Sequence, residues 1–104
     1  MNRRRLMEKI SAKELYKKLQ IEKISLIDVR ESDEFASGHV PGAHNLPLSS
    51  LTENYTRLDK DIHYHVICQK GGRSARACEF LEARGYQVTN VEGGVEAYPE
   101  SLTK

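Results

Sequence analysis

The sequence of 104 residues predicts an α/β fold: a small, doubly wound, mostly parallel sheet with helices on both faces. Three observations predict it. Short runs rich in apolar and β-branched residues recur at positions 24–29, 63–68 and 87–91, stretches with helical spacing fall between them, and Gly or Pro marks the joins. Strands that alternate with helices build βαβ units, whose strands run parallel and whose ligands collect at the strands' carboxyl ends.

Taken in order, Ser11-Ala12-Lys13-Glu14 has the form of a capping box, in which Ser11 bonds the Glu14 amide and Glu14 reaches back. Leu15 and Leu19 follow on one face, so a short amphipathic helix is expected. Residues 24–29 are almost wholly apolar, as a strand covered on both faces tends to be. Ser32 is placed to cap a brief helical turn through Phe35 that Gly38 ends, and Pro41-Gly42 marks a turn into a short strand at 43–46. Pro47 and residues 49–55 suit a connector with a marginal helix, and 63–68 reads as the next strand. Ala75, Cys78, Phe80 and Leu81 then lie at helical spacing within a helix expected over 74–84, with Gly85 as its stop. Residues 87–91 read as a strand, Gly93-Gly94 as a turn, and Val95 to Tyr98 as the start of a terminal helix that Pro99 breaks.

Length sets one domain, 1–104, with its core at about 11–98. Lys and Arg total 16 against 15 Asp and Glu, a formal charge of +1, which argues against a surface built to neutralise phosphates; nucleic acid is not an expected partner. No apolar run approaches the ~20 residues that cross a bilayer, so no membrane association is expected either. Arg3 to Arg5 open the chain with charge, but Glu8, Lys9 and Lys13 interrupt the place where a secretion signal puts its apolar core, which leads to a cytoplasmic reading. Two cysteines, Cys68 and Cys78, are too few for a disulfide framework, and in a reducing compartment their thiols stay free.

Attention then falls on Cys68-Gln69-Lys70-Gly71-Gly72-Arg73-Ser74, where a cysteine sits between a buried strand and a helix. A free cysteine with a pKa near ~8.5 is only a few per cent thiolate at neutral pH, whereas helix N-termini and cations lower it to roughly 3.5–7.5. The first-turn amides, Lys70 and Arg73 are placed to supply that field. Gly71 and Gly72 permit positive φ, which lets successive N–H groups cradle an anion. Two chemistries fit: attack on phosphorus in a phosphate ester, or attack on the outer sulfur of a sulfane donor, which leaves a persulfide.

Other candidates read as structural. Cys78 lies inside the helix at a core-compatible position, away from the loop. His63 and His65 share a strand face, but no further ligand cluster accompanies them, so they read as solvated or edge-facing, and neither a metal nor a cofactor is expected. His39 and His44 flank the Pro41-Gly42 turn with no Ser or Asp arranged as a triad, and Arg3 to Arg5 read as a solvated terminus.

Residues 28–35, Asp-Val-Arg-Glu-Ser-Asp-Glu-Phe, and 38–45, Gly-His-Val-Pro-Gly-Ala-His-Asn, closely resemble two signatures of the rhodanese family. Cys68 to Arg73 is similar to that family's active loop, and Gly93-Gly94-Val95-Glu96-Ala97-Tyr98 to its C-terminal motif, with Tyr98 where a Trp often sits. The likeness covers roughly residues 11–98 and implies the rhodanese-like fold. It also separates the two chemistries, because the family's sulfurtransferases have six residues from Cys to the closing residue, and related phosphatases and arsenate reductases have seven. Cys68-x4-Arg73 has the shorter loop.

The resemblance therefore implies a thiosulfate sulfurtransferase: Cys68 takes sulfur from a donor such as thiosulfate and passes it to cyanide or a cellular thiol. With that reading the amides of Gln69 to Arg73 stabilise the sulfur anion and Arg73 closes the loop; Lys70, a cation at the loop tip where the family varies, is placed to draw in the donor; and Asp28, Arg30 and Ser74 are expected to support the loop, with a purely architectural Asp28–Arg30 pairing as the alternative. A sulfur-relay module that hands persulfide to a protein partner fits the same residues. A phosphatase or arsenate reductase fits the loop length less well, and an interaction domain without chemistry fits the presence of Cys68 poorly.

Overall fold

A computed structural model describes residues 7–104, and the Arg3 to Arg5 cluster lies outside them. Five strands form one sheet in the order β1-β5-β4-β2-β3, with every adjacent pair parallel. They are β1 (Glu8–Ser11), β2 (Ser25–Asp28), β3 (His44–Asn45), β4 (His63–Ile67) and β5 (Gln87–Glu92). Four helices connect them: α1 (Ala12–Leu19), α2 (Ser32–Ala36), α3 (Leu51–Asn54) and α4 (Gly72–Glu82).

The capping box that opens α1 forms as its sequence requires, with the Glu14 amide donating to Ser11 Oγ at 3.0 Å and the Ser11 amide to Glu14 Oε1 at 3.4 Å. Such a cap contributes about 1 kcal/mol. The helix buries Ala12 and Leu15 against Leu26, Ile67 and Val91 on one face of the sheet. On the other face, Ala77, Cys78 and Leu81 of α4 and Leu51 of α3 pack on Ile27, Val66 and Val88. The three inner strands, β2, β4 and β5, thus send side chains into two cores, which explains their nearly continuous apolar runs. A fully covered leucine such as Leu15, 0% exposed, stabilises the fold by about 1.5–3 kcal/mol.

The structure departs from the sequence reading in several places. Glu8–Ser11 adds an edge strand that the sequence conceals, because only Ile10 in it is apolar and the segment pairs on one side only, with β5. Glu31, not Ser32, is the N-cap of α2, its amide donating to Glu34 Oε1 at 2.9 Å. α4 begins at Gly72, two residues before Ser74, so Gly72 is helical and only Gly71 takes positive φ in the loop, at +113°. The expected terminal helix is a single 3-10 turn, Val95–Ala97. His65 is neither solvated nor at an edge: β4 has neighbours on both sides, and the ring is buried without a partner for either nitrogen.

Connectivity also locates a site. β2 leads outward to β3 and β4 leads the opposite way to β5, so the loops after β2 and β4 diverge where the strand order reverses. In open parallel sheets ligands bind at the carboxyl ends of strands at such a point. Asp28 ends β2, and Cys68 directly follows β4.

Candidate active site

The Ile67 carbonyl accepts from the Val29 amide at 2.9 Å, which carries β-pairing to the last residue of β4; the chain then leaves the sheet, and Cys68 begins a loop that ends in α4. Cys68 is 1% exposed, shielded beneath that loop. Gly71 turns the chain in the left-handed region, where a side chain is disfavoured, and its amide donates to Cys68 Sγ at 3.1 Å. Burial alone raises the Cys68 pKa, but the Ser74 hydroxyl and the amides of Ser74, Gly71 and Lys70 outweigh it, and the net shift is downward. The field comes from the start of α4, where backbone N–H groups have no partner in the helix. Cys78 has no such donors, and burial pushes its thiol up to about 12.

Arg73 is held by a carboxylate of α2. Its Nη1 and Nη2 donate to the two carboxylate oxygens of Glu34, at 2.8 and 3.0 Å, which ties the start of α4 to α2. The fork beside it, with the Glu31 amide, holds the Glu34 carboxyl down at about 2. Glu34 was invisible to sequence reasoning as a site residue, because its partner lies 39 positions away.

Asp28 and Arg30, 0% and 3% exposed, form a buried pair in which Arg30 Nε and Nη2 grip the carboxylate at 2.8–3.1 Å. Arg30 Nη2 also donates to the Gly38 carbonyl at 2.8 Å, and Nη1 to Gln69 Oε1 at 3.3 Å. Asn45 Nδ2 bridges the carbonyls of Asp28 and Arg30, both at 2.9 Å. The loop after β2 is thereby fixed, and it touches the Cys68 loop through the Gln69 side chain.

A third segment closes the loop from the other side. The Val95 amide donates to the Cys68 carbonyl at 2.9 Å and the Glu96 amide to the Gln69 carbonyl at 3.0 Å. Gly94 permits that approach, since a Cβ there would lie 2.4 Å from each of those carbonyl oxygens. The Gly93-Gly94 pair was legible as a turn, but its contact with the loop was not. Lys70 lies exposed on the loop, and Ser74 is buried at its base.

The two strand histidines lie elsewhere. His63 and His65, with ring centroids 5.2 Å apart, line a cavity of about 620 Å³ that also includes Glu8, Lys18 and Ser25 near the opposite ends of the strands. Burial, with the positive groups of His63 and Lys18, lowers the His65 pKa to about 4. Among the described residues no group of three or more His, Cys, Asp or Glu could hold a metal ion.

These features define an α/β domain with a shielded, amide-activated sulfur at the switch point of a parallel sheet, suited to thiolate attack on a small partner. The chain belongs to the rhodanese-like family, whose domain model matches residues 11–101. It is 39% identical over 99 residues to "Putative sulfurtransferase YtwF" of Bacillus subtilis, covering 94% of this chain and 95% of that one. It is 32% identical over 95 residues to a protein named sulfurtransferase from Allochromatium vinosum, covering 89% of each. The crystal structure of a rhodanese-like domain protein from Staphylococcus aureus superposes with a TM-score of 0.87 at 37% identity, covering 93% of this chain and 97% of that chain.

Proposed function

We propose that the chain is a sulfurtransferase in which Cys68 carries sulfane sulfur as a persulfide. The observation that carries this reading is the Cys68 sulfur itself, held by the Gly71 amide inside a six-residue Cys-x4-Arg loop with its pKa lowered. The thiolate attacks the outer sulfur of thiosulfate, a new S–S bond forms to Cys68, the original S–S bond breaks, and sulfite leaves with the electron pair. A thiolate or cyanide acceptor then attacks the outer persulfide sulfur, and Cys68 departs as the thiolate that began the cycle. With Cys68 1% exposed, its partner must present one protruding atom, as a sulfane sulfur does.

In this reading the amides of Gln69 to Arg73 face the anion, and exposed Lys70 attracts the anionic donor. Arg73 holds the loop shut through Glu34, while Asp28 and Arg30 brace it through Gln69. Ser74 supports the base of the loop, its hydroxyl donating to the Gly71 carbonyl. A thiol that must be regenerated in every cycle suits a reducing, cytoplasmic setting.

Intact mass after thiosulfate treatment tests the proposal. The protein gains one sulfur atom, cyanide or a thiol removes it, and Cys78→Ser behaves like the parent whereas Cys68→Ser gains nothing. An unmodified parent, or an adduct that survives in Cys68→Ser, overturns the assignment.

A further inference from the structure

The sheet face beneath α1 is apolar toward the carboxyl ends of the strands, where Leu26, Ile67 and Val91 meet Ala12 and Leu15, and polar toward the amino ends. There the register sets Glu8 beside Thr89 and Thr89 beside His65, three polar side chains in a row across β1, β5 and β4. With eight residues α1 is about 12 Å long and reaches this row with its last turn alone, through Lys18. The cavity of about 620 Å³ lies there, within the size range of small-molecule sites, at the opposite ends of the strands from Cys68.

Two features point to what fits it. His65 is 8% exposed, and neither ring nitrogen has a partner among the described residues. A neutral imidazole carries one N–H that needs an acceptor, and leaving it bare costs free energy that an oxygen of a ligand recovers. The charges around it are unevenly paired. Glu8 accepts from Thr89 at 3.1 Å and lies 3.7 Å from His63, and Lys9 meets Glu92 at 3.5 Å. Among the described residues that leaves Lys18 and Lys23 without an ion pair against Glu22 alone, so the unpaired charge on the wall is positive. Ile10, Ile24 and Ile62 supply an apolar wall beside it.

We propose that this cavity is a second binding site, for a small carboxylate with an apolar body. The carboxylate faces Lys18 and Lys23 and accepts the His65 N–H, and the body lies against the isoleucines. His63 is the gate: its Nε2 lies 2.6 Å from Thr89 Oγ1 and its ring 5.2 Å from that of His65, but its side chain is 39% exposed, so the ring swings outward to uncover the His65 nitrogens.

Titration of the full chain with octanoate, followed by the ring proton resonances of its four histidines, tests the site. The signals of His63 and His65, assigned with His63→Gln and His65→Phe, shift and saturate at or below millimolar octanoate, while those of His39 and His44 stay in place. Lys18→Glu weakens half-saturation about three- to tenfold and Glu22→Lys strengthens it, whereas Lys13→Glu, on the same helix but outside the cavity, changes it less than about twofold. Lys23→Glu, at an exposed position, repeats the loss if Lys18→Glu does not fold. Excess thiosulfate leaves the titration unchanged. Absence of a saturable shift leaves His65 to water and overturns the proposal. Equal shifts in all four histidines, displacement by thiosulfate, or equal losses in Lys13→Glu and Lys18→Glu overturn it as well.

Discussion

Gly94→Ala is the substitution on which the architecture of the loop bears most directly. Gly94 sits at φ +62° and ψ −160°, a region essentially confined to glycine, and forcing another residue there costs about 1–3 kcal/mol. The added Cβ would also stand 2.4 Å from the carbonyl oxygens of Cys68 and Gln69 and 2.6 Å from the Gln69 carbonyl carbon. Those atoms are backbone and cannot swing aside, so the segment must retreat and stretch the bonds from the Val95 and Glu96 amides, each worth about 1 kcal/mol. The combined loss is about 3–5 kcal/mol, a large fraction of the ~5–15 kcal/mol that holds a domain together. Urea unfolding followed by far-ultraviolet circular dichroism measures it, since the chain has no Trp, and the midpoint should fall by roughly 2 M. Gly72→Ala is the internal control: Gly72 is helical and a Cβ there meets nothing within 4 Å, so that variant should match the parent or gain about 0.5–1 kcal/mol. A Gly94→Ala protein that loses less than about 1 kcal/mol and still loads sulfur refutes the reasoning.

His65 and the Asp28–Arg30 pair supply two further tests. His65 has its pKa lowered from 6.5 to about 4, so between those values the unfolded chain binds more protons than the folded one. Its contribution is complete above pH 6.5 and is lost as the pH falls toward 4, by roughly 3 kcal/mol in all. Urea midpoints at pH 7 and pH 4 should therefore diverge more for the parent than for His65→Phe, and equal losses would rule out His65 as the cause. Arg30→Leu strands the fully buried Asp28 carboxylate and should cost about 3–5 kcal/mol, part of which Asp28→Asn recovers when combined with it. If the double variant is no more stable than the single one in urea, the pair is not a charge held by its partner.

The interior of the fold was readable because its signals are local. The Ser11 and Glu14 cap lies within one helical turn, and the apolar runs around Ile27, Val66 and Val88 are dense because both faces of those strands are covered. Cys68 was readable for the same reason, with glycines and a helix start beside it in the chain. What stayed hidden depends on partners far away in sequence. Glu34 meets Arg73 39 positions on, Asn90 meets Ser74 16 positions back, and Gly94 abuts the Cys68 carbonyl. Burial of His65 is likewise a property of strand order, since β4 has β5 on one side and β2 on the other, and five residues of sequence cannot report that. The edge strand Glu8–Ser11 was missed because pairing on one side demands little apolar character.

The bonds from Val95 and Glu96 to the carbonyls of Cys68 and Gln69 also bear on the order in which the molecule matures. During synthesis Cys68 emerges well before the residues that buttress its loop. Until β5 has docked and the Gly93-Gly94 turn has closed behind it, the loop carbonyls lack those donors. A cysteine in an unfolded chain has the reactivity of any thiol in an unstructured peptide, with a pKa near ~8.5. The donors that favour the sulfur anion lie within the loop and at the start of α4, but the loop that aims them is held by a segment some 26 positions downstream, so the finished site depends on a part of the chain made later.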